Sequence, residues 1–511
     1  MNNPFSYQSR SRQLPALLSS IGLLLTVSLA PQLRADSASP TLPFKVEVKE
    51  VEKPTLPGVH SFTSSTADGK WLIIGGRIAG LHGFGSGNNN FPRPTANTTA
   101  YVIDPAAKKD QVLGSIDLIT TLPKELAGPL TATNQEFAQV GNDLYILGGY
   151  GTDLQNGGLT TFGSLIKIDV AKLIAAITTK ADNTTIKACF TQSPASDNRL
   201  KVTGGGLRVS NNVFYLTFGQ DFTGFYSVQN RDYNRAGGQF QKYTEKIRVF
   251  TLNADLSINQ FTQIDGGYDD TLPYHRRDLN VVDIIDSDGQ TPAATVYGGV
   301  FRAGQVAGHT TPIDITFSTT APTATVLSSF KQALSQYDCA NFTVYDSAST
   351  SSYTTLFGGI SQFHYDSTNK KLILDQVDLE KGIDGLPFID TVSTIQHGPN
   401  GALVQVIQPT PLPALVGTDA QFLASPGLAK NAQVFPNGVI DLSKLSEATL
   451  VGHIVGGIES FGPYSGLVKQ DPSTVASKHL FEVWVTPGKT PVLPMPPLPT
   501  QATPYTPPPA K

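Results

Sequence analysis

Six short apolar runs, each stopped by glycine, punctuate this chain: Trp71-Leu-Ile-Ile-Gly-Gly76, Leu144-Tyr-Ile-Leu-Gly-Gly149, Val213-Phe-Tyr-Leu-Thr-Phe-Gly219, Thr295-Val-Tyr-Gly-Gly299, Thr354-Thr-Leu-Phe-Gly-Gly359 and His453-Ile-Val-Gly-Gly457. None has a helical period. Apolar runs of this length ending on residues free to take positive φ predict buried strands that enter tight corners. Six copies make a repeat, and a repeat of short strands predicts a closed all-β array. Between the last glycines the spacings are 73, 70, 80, 60 and 98 residues. Four short strands need only about 40–50 residues, so the surplus belongs in loops. Ile78–Asn97, Thr152–Gly163 and Phe222–Gln241 each follow a glycine-stopped strand and should emerge on one face.

The ends of the pattern complete it. Lys45-Val-Glu-Val-Lys-Glu-Val51 alternates charge with valine, as a half-buried strand does, but has no hairpin partner nearby. The last repeat, with His479-Leu-Phe-Glu-Val-Trp-Val485, lacks a fourth strand. Pairing the two would close the ring and remove its exposed edge. The expected organisation is therefore a flexible lead over 36–44, a six-bladed β-propeller over 45–486 and a Pro-rich tail over 487–511, with ten prolines in 25 residues. An insertion over about 409–445 is expected in blade six, and Val170–Thr178 is expected to be a decorating helix.

Composition adds the address. Arg10 and Arg12 precede the apolar run Ile21–Leu29, and Leu33-Arg-Ala35 offers a small residue for cleavage, so residues 1–35 read as a secretory signal peptide. That run is too short for a stable membrane span. Loss of residues 1–35 removes three arginines and moves the net charge from -4 to -7. Only 15% of the residues are charged, and no basic field marks a nucleic-acid partner. The expectation is a secreted or periplasmic monomer. Cys189 and Cys339 fall on opposite sides of the ring, which predicts two free, buried thiols.

Apolar strand, Gly-Gly, loop and a following strand such as Ala100-Tyr-Val-Ile-Asp104 or Leu165-Ile-Lys-Ile-Asp169 resemble the kelch repeat of the galactose-oxidase-like β-propellers. The resemblance covers about residues 45–486. The chain departs from the family in lacking the recurrent late tryptophan, having only Trp71 and Trp484. The family includes intracellular adaptors, a periplasmic sialic-acid mutarotase and copper oxidases. The scattered histidines do not match the copper-oxidase ligand set, and no metal or other cofactor is expected.

In a kelch arrangement the starts of the innermost strands and the residues just after each diglycine reach one rim. Those positions give His60, Asn134, Glu136, Arg208, Arg276, Arg277, Asp278 and Asp338, then Arg77, Asp221, Arg302 and Glu459. Arginines and acids around one opening suit a sugar, or a carboxylate gripped by arginine. The same residues could instead be inter-blade salt bridges. Arg77, Arg276, Arg277, Asp278, Arg302, Asp338 and Glu459 are the binding candidates. His60 and Glu136 are the candidate acid and base, should they converge. In Tyr274-His-Arg-Arg-Asp-Leu-Asn280, strand alternation would put Arg276, Asp278 and Asn280 on one side and His275 and Arg277 on the other. Asp283–Gly289 lacks the distal glutamate of a calcium loop and reads as a hairpin turn. The expected function is a ligand-binding or interaction module for glycan or protein through its loop-rich face. The alternatives are a carbohydrate-active enzyme of the mutarotase kind and a scaffold attached by its tail.

Overall fold

The glycine-stopped runs are strands buried on both faces. Every residue of Val213–Thr217 and of Ser351–Phe357 is buried, because another sheet packs on each side. A computed structural model describes residues 39–499 apart from 53, 84–89, 108, 110, 227–239, 267–271, 319–320, 375–384 and 465–472. The expected signal peptide and residues 500–511 of the tail lie outside the described residues.

The architecture is all-β, with its sheets in a propeller arrangement. Five blades, rather than the six expected, are each built from one continuous stretch of chain. They begin with the innermost strands Thr63–Ala67, Thr133–Val140, Gly206–Ser210, Asn280–Ile285 and Asn341–Asp346. A further four-stranded sheet is composite: Ala420–Ala424, Thr449–Gly456 and Leu480–Pro491 pair in turn, and the N-terminal strand Thr41–Glu50 adds to the last.

Apolar side chains gather in layers between successive sheets. Leu72 shares a cluster with Leu144, Leu147 with Leu216, Val249 with Val296 and Val282 with Leu356. Phe357 shares a cluster with Val483 of the composite sheet, and Trp71 of the first blade shares one with Val455 and Leu480. Cys189 and Cys339 are unpaired and buried in two different layers.

The diglycines exist because of close approach between sheets. Gly148 and Gly149 have φ of 65° and 78°, and a Cβ on Gly148 would overlap the carbonyl oxygen of Val202, just ahead of the next blade. The Gly149 N–H donates to that same oxygen at 2.8 Å.

Several sequence expectations need correction. The lead is ordered from Thr41, because Leu42 and Phe44 are buried in the layer that Phe44 shares with Tyr353, ring to ring at 5.7 Å. The tail is likewise strand to Pro491, with Thr41 opposite Pro491, and Leu493–Pro494 pairs with Val406 and Ile407. The buried Val492 anchors that crossing. Within the expected insertion, Ala420–Ala424 is the innermost strand of the composite sheet. The excursion proper follows it, and carries the helix Pro426–Lys430 and a short strand, Ile440–Asp441, parallel to Val344 and Tyr345. The helix Val170–Thr178 occurs as expected, but it is no decoration. Its Asp169 cap accepts from the Lys172 N–H, and Leu173 and Ile177 are buried against the first two blades. Asp283–Gly289 contains a hairpin turn, with the Gly289 N–H donating to the Asp286 carbonyl.

Candidate functional site

Two sets of six residues, one from each set per sheet, line a central cavity of about 120 Å³. The residue directly after each glycine corner, five Gly-Gly and one Phe-Gly, supplies Arg77, Tyr150, Gln220, Val300, Ile360 and Ile458. The segments ahead of the innermost strands supply His60, Thr133, Thr203, Arg277, Tyr337 and Thr418. Antiparallel backbone bridges join His60 to Arg77, Thr203 to Gln220, Arg277 to Val300 and Tyr337 to Ile360. The two sets are thereby locked in register.

Beneath them runs a collar of left-handed residues: Ser61 (φ 52°), Asn134 (49°), Gly204 (69°), Asp278 (49°), Asp338 (44°) and Asp419 (53°). Gly, Asn and Asp bear this conformation most easily. Backbone N–H groups around the collar donate to the neighbouring sheet's carbonyl: Asn134 to Ser61, Gly204 to Asn134, Asp278 to Gly204, Asp419 to Asp338 and Ser61 to Asp419. A second cavity, of about 400 Å³, lies on the collar's other side, with Ser61, Asn134 and Asp419 lining both.

The upper cavity is two-sided. Aromatic rings crowd the part near the first three blades: Phe91 lies 5.3 Å from both Tyr150 and Tyr226, and Phe222 lies 5.4 Å from Tyr150. Phe91, Phe222 and Tyr226 come from two of the three loops expected to share a face, and Tyr150 from the strand Asp143–Thr152. Thr223 pairs with Thr160, and the Asn90 side chain donates to the Tyr226 carbonyl. Val300, Ile360 and Ile458 make the opposite wall apolar. Arg277 donates to the hydroxyls of Tyr243 (3.1 Å) and Tyr226 (3.2 Å) and lies 3.7 Å from Asp278. Arg77 donates to Thr95 Oγ1 and sits 4.5 Å above the Phe91 ring.

His60 stands on the cavity floor. Its Nδ1 is 2.8 Å from Ser61 Oγ, which donates to Asp419 at 2.7 Å, and Nδ1 is also 3.4 Å from Asp419. Among the described residues His60 Nε2 has no partner. Burial and the neighbouring Asp419 raise the Asp338 carboxyl well above its usual range. For Asp419 burial works upward, but hydrogen bonds from His60, Asp338 and Ser61 outweigh it and hold the group low. The two carboxyls are thus driven apart, Asp338 upward and Asp419 downward.

The predicted site residues divide. Arg77, Arg277, Asp278, Asn134 and His60 come together in the upper cavity. Glu136, Asp338 and Arg208 line the lower one, so His60 and Glu136 do not converge as acid and base. Arg208 is paired with Asp283 at 2.8 Å. Arg276 lines neither. Fully buried, it donates to the carbonyls of Pro273, Gly298 and Thr311 at 2.7, 2.9 and 3.1 Å. Strict alternation fails over 274–280 because the strand begins only at Asn280, which leaves Arg277 and Asp278 on the same cavity. Asp221, Arg302 and Glu459 fall outside both cavities, and Glu459 instead meets His479 at 3.3 Å. The lining position is the one directly after the glycines, so Gln220 and Ile458 take the places expected of Asp221 and Glu459. Sequence reasoning also missed Asp419, which carries the same signal as Asp278 and Asp338, an Asp just ahead of an innermost strand. Among the described residues no cluster of three or more His, Cys, Asp or Glu could hold a metal ion, and no helix is long and apolar enough to cross a membrane.

Burial raises the Glu136 carboxyl from 4.5 to about 8, against the hydrogen bond it accepts from the Gly205 N–H at 2.7 Å. Between those two values the folded chain holds a proton that the unfolded chain releases, so stability falls as pH rises through that window. Glu136→Gln is expected to flatten this slope and to add about 2 kcal/mol at pH 8. Urea unfolding at pH 5 and pH 8 measures it, and an unchanged slope would refute the buried neutral carboxyl.

No protein-family model matches the chain, and no curated protein sequence matches it. Among solved structures the chain is similar to that of YjhT, at 14% identity and a TM-score of 0.44, over 84% of this chain and 99% of that one.

Proposed function

We propose that this protein is an exported propeller of the kelch type that binds a small, sugar-like ligand in its upper cavity. The observation that carries the reading is the cavity's division into an aromatic, arginine-bearing side and an apolar side above a hydrogen-bonding floor. A pyranose presents matching surfaces, with C–H faces for the rings and hydroxyls for His60, Thr418 and Asn134. On this reading the composite sheet serves as a sixth blade, and the N-terminal strand closes the ring. The layer between Trp71 and Leu480 and the collar bond from Ser61 to Asp419 support closure. Deleting Thr41–Glu50 should then bare the edge of Leu480–Pro491 and yield aggregated protein, whereas a soluble variant with an unchanged melting temperature would argue against closure.

Binding is tested with a panel of mono- and disaccharides, by thermal shift followed by calorimetry, on the protein and on Arg277→Gln and Glu136→Gln. The expected result is saturable binding, weakened about tenfold or more by Arg277→Gln and little changed by Glu136→Gln. Equal loss in both variants, or no binding across the panel, would defeat the assignment. A protein or glycan partner of the outer loops would then take its place.

A second reading has an observation of its own. His60, held through Nδ1 by Ser61 and Asp419 with Nε2 unpartnered among the described residues, is arranged as a general base. That favours a sugar-isomerising enzyme of the mutarotase kind, with His60 taking a proton from a ligand hydroxyl. Turnover that His60→Gln abolishes without loss of binding would establish it. Binding with no change in the sugar would leave the module reading alone.

A further inference from the structure

We propose that the seam between the first blade and the composite sheet is an acid-sensitive joint, which opens when His453 takes up a proton. The proposal does not depend on which ligand the upper cavity holds.

The seam is an apolar layer of Trp71 and Ile73 from the first blade with Leu423, Val455 and Leu480 from the composite sheet. His453 faces the same layer. It lies on Thr449–Gly456 two positions before Val455, and so on the same side of that strand. Its ring is 5.2 Å from that of Trp71, at an angle of 69°. The histidine is 7% exposed and the tryptophan 0%. Among the described residues neither His453 Nδ1 nor Trp71 Nε1 has a hydrogen-bond partner. A dry acceptor and a dry donor, both unpaired, already cost this layer free energy, and a charge on the imidazole would cost more.

Few charged groups face the ring. Glu482 is its direct neighbour on Leu480–Pro491, but that carboxylate accepts from Trp484 Nε1 at 2.9 Å and lies opposite Lys49 of the N-terminal strand. On the other side the neighbour is Leu423, and the first blade presents the Trp71 indole. Burial moves the imidazole below its usual 6.5, and Glu482 does not make up the difference. The closed seam therefore holds His453 neutral at pH values where an opened chain protonates it. Closure is favoured near neutrality and is lost as pH falls below about 6.5.

The joint reaches the cavity. His60 and Asp419 meet across the same seam, 3.4 Å apart. His60 and Arg77 line the cavity from the first blade, and Thr418 and Ile458 line it from the composite sheet. Opening the joint parts these two walls.

The chain has two tryptophans, and both report on the seam: Trp71 lies in the layer and Trp484 is bonded to Glu482. Tryptophan emission, and hydrogen exchange corrected for its intrinsic pH dependence, are followed from pH 8 to pH 4.5 on the protein and on His453→Phe. Emission should shift to the red in acid. Exchange in Lys70–Ile74 and Thr449–Gly456 should accelerate by up to about tenfold per pH unit, while Val213–Thr217 in the third blade stays protected. His453→Phe should remove both responses. A response that survives His453→Phe, equal acceleration in Val213–Thr217, or no change in the wild-type protein overturns the proposal. Stronger protection in acid also overturns it, because the Trp71 ring would then be stabilising the imidazolium. The comparison of strands within the wild-type protein decides even if His453→Phe does not fold.

Discussion

Gly148→Ala is expected to abolish folding, or to cost at least about 4 kcal/mol if the chain still folds. The position has φ 65°, and its Cβ would occupy the space of the Val202 carbonyl oxygen, which belongs to backbone and cannot swing aside. Relief would require the second and third blades to separate, and with them the layer that holds Leu147 and Leu216. Gly141→Ala is the control. Gly141 also has positive φ, 60°, but a Cβ there meets nothing within 4 Å. Its cost should be the left-handed backbone penalty alone, about 1 kcal/mol. Urea unfolding of the two variants separates the conformational term from the steric one. Equal costs would mean that the diglycines are there for backbone conformation only.

Arg276→Met should be the most damaging of the arginine substitutions, at about 4 kcal/mol. It leaves the buried carbonyls of Pro273 and Gly298, and the partly buried one of Thr311, without this donor. Arg276 is fully buried, and burial lowers it to about 9, so it is a cationic staple that ties the entry to the fourth blade to the glycine corner of that blade. Arg277→Met should cost less stability, since its partners, two tyrosine hydroxyls and Asp278, lie at the cavity, and should weaken ligand binding about tenfold or more instead. Chemical denaturation and calorimetry on the same two proteins measure both effects. A small stability loss for Arg276→Met, or preserved binding in Arg277→Met, would reverse the roles given to these adjacent residues.

The fold was legible because its determinants are local. An apolar run ending in Gly-Gly reports a strand, a corner and a close approach at once. Asp169 followed by Val170, Leu173 and Ile177 likewise marks a capped helix with one apolar face. The site was less legible because its geometry depends on single-residue register. In the third blade and the composite sheet the residue after the glycine corner lines the cavity while the next does not, which separates Gln220 from Asp221 and Ile458 from Glu459. Arg276 and Arg277 differ for a similar reason: the chain is irregular up to Asp278, and only the folded path decides which guanidinium is buried among carbonyls. Asp419 was hidden by a mistaken boundary, since proline-rich sequence before it resembled an insertion. The aromatic wall was not read, because Phe91 and Tyr226 come from separate loops that join Tyr150, at the end of a glycine-stopped strand, only through pairings such as Thr160 with Thr223.

The central claim is that the upper cavity is the ligand site. A crystal structure of the protein soaked with the tightest ligand of the sugar panel tests it most directly. The account predicts a single bound molecule between Arg77, His60 and the Phe91 ring. A ligand found instead in the lower cavity beside Glu136 and Arg208, or on the outer loops with the upper cavity unchanged, would contradict it.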